Sequence, residues 1–201
     1  MRAVDTPAGL GSWPARRARI DPGRPALVEG ERCLTYAALA ERTARLAGAL
    51  AGLGVRHGDR VAYLGVNAVS VVETFFATWL LGAIAVPLNH RLAGAEVRYM
   101  LDDSGASVLV HSADRLVAAA GPDVRHVLTV PDGYEAAVAA AEPLAAPPVV
   151  GLDDPAILLY TSGTTGRPKA AVLTHGNLTW NTVNQLAHVD VLSTDRALCI
   201  A

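Results

Sequence analysis

Residues 160–169, Tyr-Thr-Ser-Gly-Thr-Thr-Gly-Arg-Pro-Lys, bring together side chains that could hold an anion. Thr161, Ser162, Thr164 and Thr165 offer hydroxyls. Gly163 and Gly166 let main-chain N–H groups come close to a bound group, and Pro168 stiffens the exit. Lys169 adds one compact positive charge. It is the only lysine in the 201-residue chain, the other 16 of the 17 basic residues being arginines. In a chain written with arginine, a lysine marks a position where the planar guanidinium fork would not serve. Converging amides, hydroxyls and a cation suit a polyphosphate. The competing reading is a polar hairpin loop, since Ser, Thr and Gly are ordinary turn residues. The common P-loop is excluded, because it needs four residues between its glycines and a lysine directly after the second.

Other groups promise less. The histidines at 57, 90, 111, 126, 175 and 188 show no metal-ligand spacing. His175, the nearest to the loop, is expected to pack at the start of the following helix. Asp102-Asp103 and Asp153-Asp154 read as solvated turns, and Gly58-Asp59-Arg60 as a tight turn. No Ser or Cys nucleophile sits in a recognisable elbow. Cys33 and Cys199 form no CxxC unit, and charged residues interrupt the first twenty positions, so a reduced, cytoplasmic protein is expected. A net charge of −2 gives no reason to expect a nucleic-acid partner. The apolar stretch 68–89 contains Glu73, Gly82 and Pro87, so a buried helix followed by a buried strand is expected there, with no membrane span.

The elements that must position the loop follow from periodicity. Residues 1–25, rich in proline, read as an irregular arm. A short hairpin turns at Glu29-Gly30. Thr35 caps a helix whose Leu39, Thr43, Leu46, Leu50 and Leu53 share a face, with Gly54 as its stop. Buried strands are expected at 60–66, 83–88, 107–111 and 124–130, with helices at 68–81 (capped by Asn67), 94–103 and 113–120. The alternation predicts an α/β fold, a mostly parallel sheet layered with helices on both faces. The expected division is an arm at 1–25, a first α/β subdomain at 26–130, an Ala/Pro-rich linker at 131–155 and the start of a second portion at 156–201. That last portion reads as strand 156–161, loop 162–168, strand 169–174, a helix from Asn177 to His188 and a strand at 197–201.

The stretch "YTSGTTGRPKAAVLTHGN" resembles the signature of the adenylate-forming (AMP-dependent synthetase/ligase) superfamily, whose members include acyl-CoA synthetases, peptide-synthetase adenylation domains and luciferases. The usual pattern is Tyr/Phe-Thr-Ser-Gly-Ser/Thr-Thr-Gly-x-Pro-Lys-Gly, and the departure is Ala170 at the final glycine. "LTYAALAERTARLAGAL", "GVRHGDRVAYLGVN" and "WLLGAIAVPLNHRLAGAEVRYMLDDSGASVLV" resemble the family's preceding segments in order. The resemblance implies ATP-dependent activation of a carboxylic acid to an acyl-adenylate, followed by acyl transfer to CoA. "PLNHRL" is similar to the acyl-CoA synthetase version of its segment and leans toward a fatty or aryl acid. Thr161, Ser162, Gly163, Thr164, Thr165, Gly166 and Lys169 would hold the ATP phosphates, with Thr161 near Mg²⁺. The family's later segments, including its catalytic lysine, are not in this sequence. An N-terminal fragment, inactive alone and without catalytic residues of its own, is therefore expected. The alternatives are a non-catalytic nucleotide-binding remnant, an amino-acid adenylation domain, or a phosphotransferase with an unusual loop. Oligomeric state is left open.

Overall fold

The computed structural model describes residues 9–112, 123–161 and 167–198. A 3-10 turn at Leu10–Ser12 runs into helix α1, Trp13–Ile20, where proline content had suggested irregular chain. Pro14 accounts for the difference: in a first helical turn its missing N–H has no partner to lose and its fixed φ suits the helix. Strands β1, Pro25–Glu29, and β2, Arg32–Thr35, form the expected antiparallel hairpin, with Gly30 at φ +57°. Thr35 then accepts a bond from the Ala38 N–H at 3.2 Å and caps α2, Tyr36–Gly52, whose Leu39, Thr43, Leu46 and Leu50 are buried.

A six-stranded sheet carries the fold. Its strands are β3 (Arg60–Gly65), β4 (Ile84–Asn89), β5 (Val108–Ser112), β6 (His126–Val130), β7 (Pro155–Thr161) and β8 (Lys169–Thr174), in the order β6-β5-β3-β4-β7-β8. Neighbours are parallel except β7 and β8, which form an antiparallel hairpin. Strands β7 and β8 therefore extend the sheet begun by β3 to β6. Helix α3, Val69–Leu80, joins β3 to β4, and helix α4, Gly94–Ser104, joins β4 to β5. Alternate strand residues feed two cores. Val61, Tyr63, Val108 and Val110 pack with α2 and α3 on one face, and Ala62, Leu64, Val86, Leu88 and Leu109 pack with α4 on the other. The stretch 68–89 is thus a helix and a strand, and among the described residues no helix is long and apolar enough to cross a membrane.

Three local expectations are corrected. Asn67 does not cap α3; the carboxylate of Glu29, at the end of β1, accepts from the Val69 N–H at 3.0 Å and meets the positive end of the helix. Segment 131–155 is not simply a linker, because it contains helix α5, Asp132–Ala140, with Tyr134 fully buried. The alanines there favour helix, and the chain beyond is tied to α2 by Leu144 N–H to Ala44 O at 2.9 Å and Arg45 Nη1 to Ala141 O at 2.9 Å. Gly48 admits this crossing, since a Cβ there would lie 2.0 Å from the Glu142 carbonyl oxygen. Helix α6 spans His175–His188, starting before Asn177, because Thr174 and Asn177 form a reciprocal capping box. The helix expected at 113–120 lies outside the described residues. Of the strand expected at 197–201, Ala197 and Leu198 are irregular and the rest lies outside them.

The layer of α2, α3 and α5 closes on one buried charge. Glu73 of α3 is 0% exposed. Arg42 of α2 grips it with Nε at 2.5 Å and Nη2 at 3.1 Å, and the Tyr134 hydroxyl of α5 donates to it at 2.8 Å. Arg42 also reaches Glu135 at 2.9 Å. Hydrogen bonding to Glu73 pushes the Arg42 pKa up, and burial followed by the Glu73 charge pushes that of Tyr134 up, so both keep their protons. Removing one partner strands a buried charge, so Arg42→Ala is expected to lower unfolding free energy by about 3–5 kcal/mol. Joint replacement by Arg42→Met and Glu73→Leu is expected to cost less than Arg42→Ala alone. Urea unfolding of the three proteins at one pH checks the order.

Candidate functional site

The two crossovers that meet at β4 lie on opposite faces of the sheet: α3 arrives over one and α4 leaves over the other. Such a reversal leaves a crevice beyond the carboxyl ends of the strands, the place where open α/β sheets bind ligands. A cleft of about 1020 Å³ opens there, walled by Gly65 to Asn67 after β3, Pro87 to Leu92 at the end of β4, and Leu159 to Thr161 at the end of β7. Its walls mix apolar groups (Phe75, Leu88, Met100) with the polar Asn89, Arg91 and Arg167. Asn89 shapes the exit from β4 by accepting from the Arg91 N–H at 2.9 Å.

The structure brings the shoulders of the sequence motif to this cleft. Tyr160, Thr161, Arg167 and Pro168 line it. Thr161 is exposed, its hydroxyl donating to the Lys169 carbonyl at a long 3.4 Å, and Thr161 and Lys169 are opposite one another in the β7–β8 ladder. Lys169 is exposed, and no ion pair engages it among the described residues. Ser162, Gly163, Thr164, Thr165 and Gly166 lie outside the described residues. Ala170, the departure from the motif, sits in regular register opposite Tyr160, and no non-glycine among the described residues has positive φ. Its backbone therefore does not need a glycine.

Sequence reasoning missed what α4 does here. Asp103, expected to close the helix as a solvated residue, does lie in its last turn, but its carboxylate accepts from the Tyr160 hydroxyl at 2.6 Å. The same hydroxyl lies 3.2 Å from the Met100 carbonyl. One turn earlier, the Tyr99 ring lies under the Arg167 guanidinium at 5.8 Å, and its hydroxyl donates to the Pro168 carbonyl at 3.4 Å. Burial, then the bond to Asp103, pushes the Tyr160 pKa up, because both disfavour the phenolate. The spacing of Tyr99 and Asp103 at i and i+4 was the available signal.

His175 packs at a helix start, as expected. It is fully buried, its Nδ1 accepts from the Leu10 N–H at 3.2 Å, and its ring meets Trp79 edge-on at 6.3 Å. Asp154 turns the chain into β7 by accepting from Gly151 N–H at 2.9 Å and facing His57 Nε2 at 3.3 Å. The bond from Gly151 is the main cause of its lowered pKa. Among the described residues no three His, Cys, Asp or Glu side chains gather as a metal site.

The family described as "AMP-binding enzyme" matches residues 14–201. A feruloyl-CoA synthase of an Amycolatopsis species is 53% identical over 96% of this chain and 39% of its own length. An indoleacetate–CoA ligase of Aromatoleum aromaticum is 42% identical over 94% of this chain and 39% of its own length. A solved fatty acyl CoA synthetase of Mycobacterium tuberculosis superposes with a TM-score of 0.82 at 32% identity, covering 92% of this chain and 38% of that one. The chain thus spans about two fifths of the length of these relatives.

One pH dependence follows from His175. Burial holds its pKa below the ordinary value, so the folded protein keeps it neutral. Below about pH 6.5 the unfolded chain binds a proton there that the folded chain refuses. That stability is fully present above the unfolded value and is lost as pH falls from it toward the folded value. The urea midpoint is expected to drop between about pH 7.5 and about pH 5.5, and to drop less in His175→Asn, which keeps an acceptor for Leu10. Equal drops in the two proteins would contradict this role.

Proposed function

The chain belongs to the AMP-binding enzyme family, and from that premise we propose that it supplies the phosphate-binding part of an AMP-forming acid–thiol ligase. The reaction has two steps. A carboxylate oxygen attacks the α-phosphorus of ATP, pyrophosphate leaves, and an acyl-adenylate forms. The CoA thiol then attacks the acyl carbonyl, its proton is lost, and AMP departs. The feruloyl-CoA and indoleacetate–CoA relatives are named for aryl-substituted acids, which favours an aryl-substituted carboxylic acid as the substrate class.

The observation that carries the reading is that the two described shoulders of the motif, Tyr160 and Thr161 at the end of β7 and Arg167 and Pro168 before β8, line the crevice beyond the carboxyl ends of the strands. The first step is mainly positioning and neutralisation of the leaving pyrophosphate. In this reading the amides of Gly163 and Gly166 and the hydroxyls of Ser162, Thr164 and Thr165 receive the β- and γ-phosphates, and Lys169 adds its charge. Mg²⁺ fits as an ion brought by those phosphates: Thr161 offers one exposed neutral hydroxyl and no carboxylate cage accompanies it among the described residues. When bound, the ion would neutralise charge on the departing oxygens, with Thr161 beside it.

The test is acid-dependent exchange of labelled pyrophosphate into ATP by the protein at its full natural length, with aryl and straight-chain acids compared. Exchange is expected with hydroxycinnamate-type acids. Lys169→Ala is expected to lower its kcat about 100-fold, with the acid KM moving less than about 3-fold. Lys169→Arg is expected to recover little, because the fork does not replace a point charge. No exchange with any acid, or equal loss in kcat and acid affinity, would refute the assignment.

A further inference from the structure

The ladder between β4 and β7 has a single registered pair, Ala85 with Ile157. Two residues beyond Ala85, Pro87 has no N–H to offer a neighbour. On its other side β4 continues in register with β3 through Asn89. The cleft opens from this point, between the ends of β4 and β7. β8 cannot hold the end of β7 in place, because it is that strand's hairpin partner and moves with it.

Helix α4 provides the missing reference. It is fixed to the sheet by buried Val97, Met100 and Leu101. Its last carbonyls are held by Arg60 at the start of β3, with Nε 2.6 Å from Ser104 O and Nη2 2.9 Å from Gly105 O. From this anchored helix, Asp103 takes the hydroxyl of Tyr160 on the incoming arm of the hairpin. Tyr99, one turn away, takes Arg167 and Pro168 on the outgoing arm. Two side chains on one helix face thus hold both sides of the motif.

We propose that Tyr99 and Asp103 are positioning residues that set the distance of the motif-bearing hairpin from β4, and through it the affinity for the ATP phosphates. The proposal rests on the phosphate-binding reading above. A merely structural role would lower stability without selectively weakening nucleotide binding.

The test uses Asp103→Ala, Tyr99→Leu, the conservative Asp103→Asn, and Lys169→Ala as reference, in the full-length protein. Asp103→Ala is expected to raise the KM for MgATP in adenylation about 10-fold, with kcat and the acid KM within about 3-fold. Asp103→Asn keeps an acceptor for Tyr160 and is expected to return that KM to within about 2-fold of wild type. Amide hydrogen exchange at Leu159, Tyr160 and Lys169 is expected to quicken about 10-fold in Asp103→Ala and in Tyr99→Leu, with Val61 and Val108 unchanged. Unchanged exchange in both variants overturns the proposal. Faster exchange with an unaltered KM for MgATP overturns it too, reducing the contacts to ordinary packing. If Lys169→Ala also leaves adenylation intact, the fault lies in the phosphate reading, and the exchange data still decide whether α4 holds the hairpin.

Discussion

Backbone pairing between β4 and β7 stops after Ala85 and Ile157, and everything at the carboxyl edge of the sheet depends on what takes over from it. A parallel sheet covered on both faces has only its strand ends left open to a ligand. Had the ladder run on, strand separation of about 4.8 Å would leave no room between β4 and β7 for a bound group. Because it stops, the chain gains a cleft of about 1020 Å³ beside the motif. It also gains a hairpin whose position must be fixed by side chains. Tyr160 with Asp103, and Arg167 with Tyr99, meet that need at the cleft's own wall.

The opposite face of the sheet solves a different problem in a more rigid way. Glu73 is a charge where an apolar residue would be simplest, and such pairs are weak sources of net stability. What the arrangement does provide is direction. A bidentate guanidinium and a phenol can satisfy the carboxylate only if α2, α3 and α5 take one relative placement. That layer covers Tyr63, whose strand ends at the cleft. A specified layer on this face leaves the cleft side as the place where adjustment is cheapest.

Elements governed by their own residues were legible in the sequence. Leu39, Thr43, Leu46 and Leu50 declared a helix face and Thr35 its cap, because both signals lie within a few turns of chain. The unbroken apolar runs of β3 and β5 declared buried parallel strands for the same reason. What failed were features decided by distant partners. Asn67 has the right type for a cap, yet Glu29 wins because the hairpin delivers a full charge to the same N–H. Asp103 looked like a turn residue until the sheet brought Tyr160 to it across 57 positions of sequence. The motif suggested an anion-binding chemistry from residue types alone. Its setting, a cleft made by interrupted pairing, depends on strand order, which no local pattern encodes.

The two cations that follow the glycines make the division of labour concrete. Arg167 lies over the Tyr99 ring, a contact that uses the flat, delocalised guanidinium and is worth about 0.5–1 kcal/mol where solvent reaches it. Lys169 lies two residues on, exposed, opposite Thr161, with no ion pair among the described residues. A guanidinium at 169 could compete for the same ring or fork onto a carboxylate, and either contact would draw its charge to one fixed place. An ammonium on a flexible stem makes neither contact well and stays available to an incoming anion. In the phosphate-binding reading proposed above, a chain that otherwise uses arginine thus keeps its one lysine where the charge stays uncommitted.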